Sequence, residues 1–141
     1  MGSISFQPHT ADEKFTVQAT SLEDAFLTAL QACSYIVLGE GDLARPVFRK
    51  PFRITATHLR GLLYDFLNEM IALLDEESRI YSHVENLSFS QQGAEHVLEG
   101  VFLGDDASLY EFETVIKNMT YSEMEILQDE DGVSLTVVVD I

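Results

Sequence analysis

The sequence predicts an α+β fold in which two helices pack on a mostly antiparallel β-sheet. Two segments have apolar residues at helical spacing, and seven others show the two-residue alternation or short apolar runs typical of strands. Their order is strand, strand, helix, strand, helix and then four strands. Because helices and strands do not alternate regularly, βαβ units with a parallel sheet are not expected.

The first two strands are predicted at ISFQ and FTVQA, and they are joined by the polar connection PHTADEK. A helix follows: Ser21 has the form of an N-cap with the acidic Asp24 three positions later, and Gly39 is a natural stop. The single cysteine, Cys33, lies on the apolar stripe of this helix with no basic neighbour in sequence. A buried core thiol is therefore expected rather than a nucleophile.

A polar linker leads to a strand at residues 52–56 and then to a second helix that begins near Leu59. Its apolar residues recur at intervals of three and four up to Leu74. The acidic run Asp75-Glu76-Glu77 is expected in the following turn, because acidic groups at a helix C-terminus oppose the helix dipole.

The second half of the chain has period two and predicts four strands, at residues 80–89, 95–103, 114–127 and 133–139. The short polar stretches QQG, GDD and DEDG separate them, which favours successive antiparallel pairs. The acidic run Asp129-Glu130-Asp131 before Gly132 is interpreted as a solvated hairpin turn, since its spacing does not match a calcium-binding loop.

Composition limits the classes of function. At 141 residues with 46% hydrophobic residues, the chain suits one compact domain, 1–141. With 24 acidic and 8 basic residues its formal charge is −16, so direct binding to a nucleic-acid backbone is not expected. This charge favours cations, basic protein surfaces or simply solubility. No apolar run of about 20 residues and no signal-peptide pattern is present, so a cytoplasmic protein without a membrane segment is expected.

The last strand ends in an unusual way. Val137, Val138 and Val139 are apolar on both faces, which predicts a strand covered on both sides. Carboxylates at Asp140 and Ile141 would then cost free energy unless a positive group meets them. Lysine, arginine or a divalent cation are candidates, and a strand end that frays into water is the alternative.

Five motifs, taken together and in order, resemble the archease family. They are His9-Thr10-Ala11-Asp12, the helix start at residues 21–26, the second-helix segment 62–69, the strand 115–121 and the terminal Val139-Asp140-Ile141. They extend over nearly the whole chain.

The resemblance implies a cytosolic accessory protein of RtcB-type RNA-splicing ligases, which is not itself an enzyme. Such a protein promotes the GTP-dependent guanylylation and multiple turnover of the ligase, in tRNA splicing or RNA repair. The resemblance also implies a site for a divalent metal ion, Ca²⁺ or Mg²⁺, formed here by Asp12, Asp140 and Ile141. His9 is a candidate for orienting the loop or contacting the partner, Thr10 for holding the loop's shape, and Lys117 for meeting a carboxylate.

The chain departs from the family pattern at a few positions. Glu13 and Lys14 follow the first motif, Asn118 and Ser122 replace Ala and His, and Tyr110 lies near an expected His. Two other functions remain open: a metal-bound chaperone or adaptor for other nucleic-acid-modifying enzymes, and a small acidic enzyme that uses the ion as a Lewis acid.

Overall fold

The computed structural model describes residues 2–7 and 12–141. Within these residues the chain forms eight strands and two α-helices: β1 Ser3–Gln7, β2 Asp12–Ala19, α1 Leu22–Leu38, β3 Phe48–Ala56, α2 Leu59–Glu77, β4 Arg79–Gln92, β5 Glu95–Asp106, β6 Asn118–Met119, β7 Glu125–Asp129 and β8 Gly132–Asp140. A 3₁₀ turn, Ala107–Leu109, follows β5. The predicted α+β class is confirmed.

The strands divide into two antiparallel sheets rather than one. In the first, β8 lies between β2 and the two short strands β6 and β7, and β1 forms the outer edge beside β2. In the second, β5 lies between β3 and β4. Apolar side chains from both sheets and both helices join one buried cluster, which includes Phe15, Phe26, Phe66, Phe102 and Leu135.

Helix α1 begins and ends where the sequence predicts. The Ser21 hydroxyl accepts a hydrogen bond from the Asp24 backbone N–H at 3.1 Å. At the other end Gly39 has a φ of 115°, and its N–H donates to the Tyr35 carbonyl at 2.8 Å. Cys33 is fully buried, as predicted, and burial raises its pKa to about 12.

Helix α2 is longer than predicted, because it includes the acidic run Asp75-Glu76-Glu77. The Glu77 carboxylate lies 2.8 Å from the Lys50 ammonium, and this ion pair offsets the unfavourable position of the acid at the helix end. Ser78 then stops the helix in a left-handed conformation, with a φ of 55°.

The predicted strand at residues 114–127 is wrong as one element, since it forms two short strands, β6 and β7. Met119 pairs with Val139 and Glu125 pairs with Thr136. Between these two pairs β8 has two residues, 137 and 138, whereas the chain from β6 to β7 has five, 120–124. The extra residues cannot all pair with β8 and leave the sheet as a turn. The chain turns there through a Met124 N–H to Tyr121 carbonyl hydrogen bond and a positive φ of 59° at Glu123.

Candidate metal site

Strand register brings three oxygen-bearing side chains into one row across three strands. Asp12 of β2 lies directly opposite Asp140 of β8. On the other side of β8, Asn118 of β6 is also directly opposite Asp140. Directly opposed residues of antiparallel strands have side chains on the same face, about 4.5–5.5 Å apart at Cβ. We call this set of Asp12, Asp140 and Asn118 the carboxylate row.

The carboxylate row lies on the face of the sheet that turns away from the helices. Phe15, Val137 and Val139 belong to the buried core, so the alternate residues of the same strands point to the other face. Val138 is on that other face and is nevertheless only 1% exposed. The predicted burial of this strand on both faces is therefore confirmed, and the row lies at the end of a buried strand.

Chain segments beside Val138 help to explain its burial. Lys14 is opposite Val138 in the register, and the Thr120 hydroxyl donates a hydrogen bond to the Val138 carbonyl at 3.2 Å. The Lys14 ammonium lies 2.8 Å from the Glu123 carboxylate. This ion pair links β2 to the turn between β6 and β7, and it places a positive charge two residues from Asp12 on the same face.

The structure places the remaining predicted site residues as follows. The Lys117 backbone N–H donates to the Asp140 carbonyl at 2.8 Å, while the Lys117 side chain is exposed. Ile141 follows Asp140 and packs partly against the core. His9 and Thr10 lie outside the described residues, so their predicted roles stay predictions.

The donor set of the carboxylate row suits a hard divalent cation. Two carboxylates that face each other directly repel, and a cation between them removes that repulsion. Calcium and magnesium prefer carboxylate and amide oxygens. Within residues 2–7 and 12–141, no three His, Cys, Asp or Glu side chains form a metal-binding group. The row supplies only two carboxylates and one amide, which leaves coordination positions for water or for a partner's ligand.

Asn118 is the member of the row that the sequence did not assign to the site. Its residue type alone carries no signal, because an exposed asparagine is common on any surface. Only the pairing of β6 with the end of β8 places it beside Asp140. Asn118, one of the departures from the family pattern, therefore adds an oxygen donor at the candidate site.

Two of the other departures, Glu13 and Tyr110, lie away from the carboxylate row. Glu13 points to the opposite face from Asp12 and lines a shallow pocket with Glu40 and Glu113. The Tyr110 hydroxyl donates to the Asp105 carboxylate at 2.8 Å and accepts from the Arg45 N–H at 2.9 Å. Burial is the main cause that raises the Tyr110 pKa. Tyr110 thus has a structural role in holding its loop.

Known proteins resemble this chain over nearly its whole length. The family model described as the Archease protein family (MTH1598/TM1083) matches residues 5–141. Protein archease of Methanosarcina barkeri is 31% identical over 139 residues, covering 94% of this chain and 92% of the relative. Protein archease of Aeropyrum pernix is 29% identical over 142 residues, covering 99% and 98%.

Two solved structures have the same fold. The solution structure of Methanobacterium thermoautotrophicum protein 1598 matches with a TM-score of 0.80 and 23% identity, over 98% of each chain. The crystal structure of an archease, possible chaperone, from Thermotoga maritima matches with a TM-score of 0.62 and 20% identity, over 96% of each chain.

Fold and site together define a small α+β protein with a carboxylate row at the end of its central strand. The family match identifies the chain as a member of the archease family. Among the described residues, no helix has the length and apolar character needed to cross a membrane.

Proposed function

We propose that this protein is a non-catalytic, metal-binding activator of an RtcB-type RNA ligase. It promotes the GTP-dependent guanylylation of the ligase and its multiple turnover, in tRNA splicing or RNA repair. Membership of the archease family supports the accessory role. The observation that carries the metal-binding part is the register that sets Asp12 opposite Asp140, with Asn118 on the other side.

In this proposal the ion is held by Asp12, Asp140 and the main-chain carboxylate of Ile141, with the Asn118 amide as an added donor. A divalent ion supplies charge neutralisation at phosphate groups, which the nucleotidyl step of the ligase requires. The chain's own residues hold the two carboxylates together on a rigid strand pair. The Lys117 N–H bond to the Asp140 carbonyl fixes the backbone beside them.

The non-catalytic role is consistent with the chemistry of the described residues. Cys33 is fully buried and its raised pKa of about 12 keeps it a thiol at neutral pH. Among the described residues, the neighbours of the carboxylate row include Lys14, which is paired with Glu123, the buried Val138 and Thr120, whose hydroxyl donates to the Val138 carbonyl. An ion held by so few side chains of this protein would keep coordination positions for a partner's ligands, which suits sharing with a partner's active site better than a reaction on this protein alone.

A turnover assay tests the proposal. Purified ligase is mixed with GTP, divalent ion, end-phosphorylated RNA and a sub-stoichiometric amount of this protein, and turnovers per ligase are counted. We expect several turnovers with the wild type and about tenfold fewer with Asp12→Asn or Asp140→Asn, because either change removes a charged ligand. A short C-terminal extension should weaken ion binding if the Ile141 carboxylate is a ligand.

Asp129→Asn is the matched control, since Asp129 is an exposed carboxylate at the opposite end of β8. It should leave the turnover count unchanged. Equal stimulation by the wild type and both row variants would contradict the metal-dependent mechanism, and no stimulation by the wild type would contradict the ligase partnership.

A second candidate function is a metal-bound chaperone or adaptor for other nucleic-acid-modifying enzymes. The name of the Thermotoga maritima structure, an archease and possible chaperone, favours it. A heat-aggregation assay with unrelated enzymes, run beside the turnover assay, separates the two: a general chaperone protects those enzymes from aggregation, whereas a ligase activator raises turnover of the ligase without protecting the others.

A further inference from the structure

The segment between β5 and β6 exposes apolar side chains close together; we call residues 107–117 the β5–β6 loop. Leu109 is 71% exposed, Val115 60% and Phe112 38%, all within seven residues of sequence. Single exposed apolar residues are ordinary, but a group of them on one short segment marks an interaction surface.

The β5–β6 loop is tied to the fold on both sides of these residues. Tyr110 donates to Asp105, which is only 5% exposed, and Ala107 donates its N–H to the Ser78 carbonyl at 2.9 Å. Further along, the Glu113 N–H donates to the Val37 carbonyl at 2.7 Å. The apolar side chains are therefore presented on an ordered backbone, and little conformational entropy is left to lose on binding.

Exposed acidic side chains flank these apolar ones along the chain. Asp106, Glu111 and Glu113 are exposed, and the sequence contains no lysine or arginine from residue 80 to residue 116, while Arg79 lies opposite Asp106 in the β4–β5 register. An apolar centre with a charged rim is the usual composition of a protein–protein interface. Its complement is a partner surface with an apolar recess and basic residues around it.

The β5–β6 loop is also continuous with the candidate metal site. It ends at Lys117, whose N–H binds the Asp140 carbonyl, and the next residue is Asn118 of the carboxylate row. A partner that binds the loop would therefore lie beside the row.

We propose that the β5–β6 loop is the docking surface through which this protein binds the basic surface of its ligase. The inference rests on the proposed function. An enzyme that handles RNA must carry lysines and arginines against the phosphates, so it offers the basic rim that the acidic loop requires. Leu109 and Val115 insert into the apolar recess, and the acidic residues set orientation and association rate.

A binding titration tests this inference. Full-length labelled protein is titrated with purified ligase, and the dissociation constant is measured at low and moderate salt. We expect Leu109→Ser and Val115→Ser each to weaken binding about tenfold, as for apolar anchors, with a larger effect of the double variant. Leu127→Ser is the matched control, because Leu127 is 55% exposed on β7. It should stay within about twofold of the wild type.

Two further measurements keep the outcomes distinct. Calcium affinity, measured in parallel, should be the same for the wild type and the loop variants, since neither position bears a ligand. Thermal melts should be unchanged, since both side chains are exposed.

A double variant that binds the ligase as the wild type does overturns the docking inference and leaves the proposed function standing. A wild type that binds no ligase overturns both. A wild-type dimer that the double variant dissociates identifies a second copy of this chain as the occupant, and it overturns the ligase as the partner of the loop.

Discussion

The two ends of β8 both carry acidic residues, but different parts of the chain bring those residues together. At the β7–β8 hairpin, Asp129 and Asp131 are close in sequence, and the Asp129 carboxylate accepts the Asp131 N–H at 2.8 Å. At the other end, Asp12 and Asp140 are distant in sequence, and only strand pairing places them opposite each other. The side chain-to-backbone hydrogen bond of the turn explains the acidic residues at the hairpin, whereas no turn explains Asp12 and Asp140.

This difference separates an acidic cluster that a local hydrogen bond explains from one that only strand pairing assembles. In the hairpin the carboxylate binds a backbone N–H, and Gly132 takes a φ of 138° where a Cβ would clash with the Ala19 carbonyl. In the carboxylate row two like charges are set opposite each other, and a cation beside them lowers their mutual repulsion. We therefore expect ion-dependent behaviour at one end of β8 only.

The largest expected effect comes from the core of the strand that both ends share. Leu135→Ala removes a fully buried side chain midway along β8 and should lower the free energy of unfolding by about 2–5 kcal/mol. Chemical denaturation measures it, and alkylation of Cys33 should become faster, since the thiol reacts only after opening.

The control for this change is Leu127→Ala, at an exposed position of the neighbouring strand β7. It should change the free energy of unfolding by no more than about 0.5 kcal/mol. Equal effects of the two substitutions would mean that β8 is not the buried centre of its sheet.

The next largest expected effect is the stabilisation of the fold by calcium, which distinguishes the two ends of β8. At a calcium concentration 100 times the dissociation constant, the wild type should gain about 2.7 kcal/mol of stability, because the ion binds only the folded chain. Asp140→Asn should lose most of this gain, and Asp129→Asn should keep it. Thermal melts with calcium and with a chelator measure the difference. If calcium stabilised the Asp140→Asn variant as much as it stabilised the wild type, this result would contradict the candidate site.

Local sequence signals predicted the parts of the fold that depend on local interactions. The N-cap at Ser21, the stop at Gly39 and the hairpin turn at Asp129 each depend on residues within a few positions of each other. The buried terminal strand was predicted as well, because Val137 and Val138 point to opposite faces. In these cases the side chains that decide the structure are close together in the sequence.

Features that depend on distant pairing were not predictable. The period-two pattern at 114–127 gave no sign that β6 and β7 would pair with separate parts of β8. The end of α2 was misplaced because Lys50, which stabilises Glu77, is 27 residues away in sequence. For the same reason Asn118 was missed, although Asp12 and Asp140 were assigned to the candidate site from the family resemblance.

A smaller effect is expected at the hairpin. Asp129→Ala removes the acceptor for the Asp131 N–H and should cost about 0.5–1.5 kcal/mol, the usual contribution of one hydrogen bond. Calcium should not alter this cost, because the carboxylate serves the turn. Denaturation with and without calcium checks it. A cost that depends on calcium would show that the hairpin end binds the ion as well.

The smallest effect concerns Lys14, which lies on the same face as Asp12 and two residues along the strand. Strand geometry separates their Cα atoms by about 7 Å, and at that distance in water a unit positive charge and a divalent cation repel by roughly 1.2 kcal/mol before screening. Lys14→Met removes this repulsion toward a bound cation, so calcium affinity should rise about twofold to threefold at low salt and less at high salt. Calorimetric titration measures it. Lys50→Met is the matched control, because it also breaks one surface ion pair, with Glu77, but lies on the other sheet. If both substitutions changed calcium affinity equally, the effect would come from net charge, and the position of Lys14 beside the carboxylate row would have no special importance.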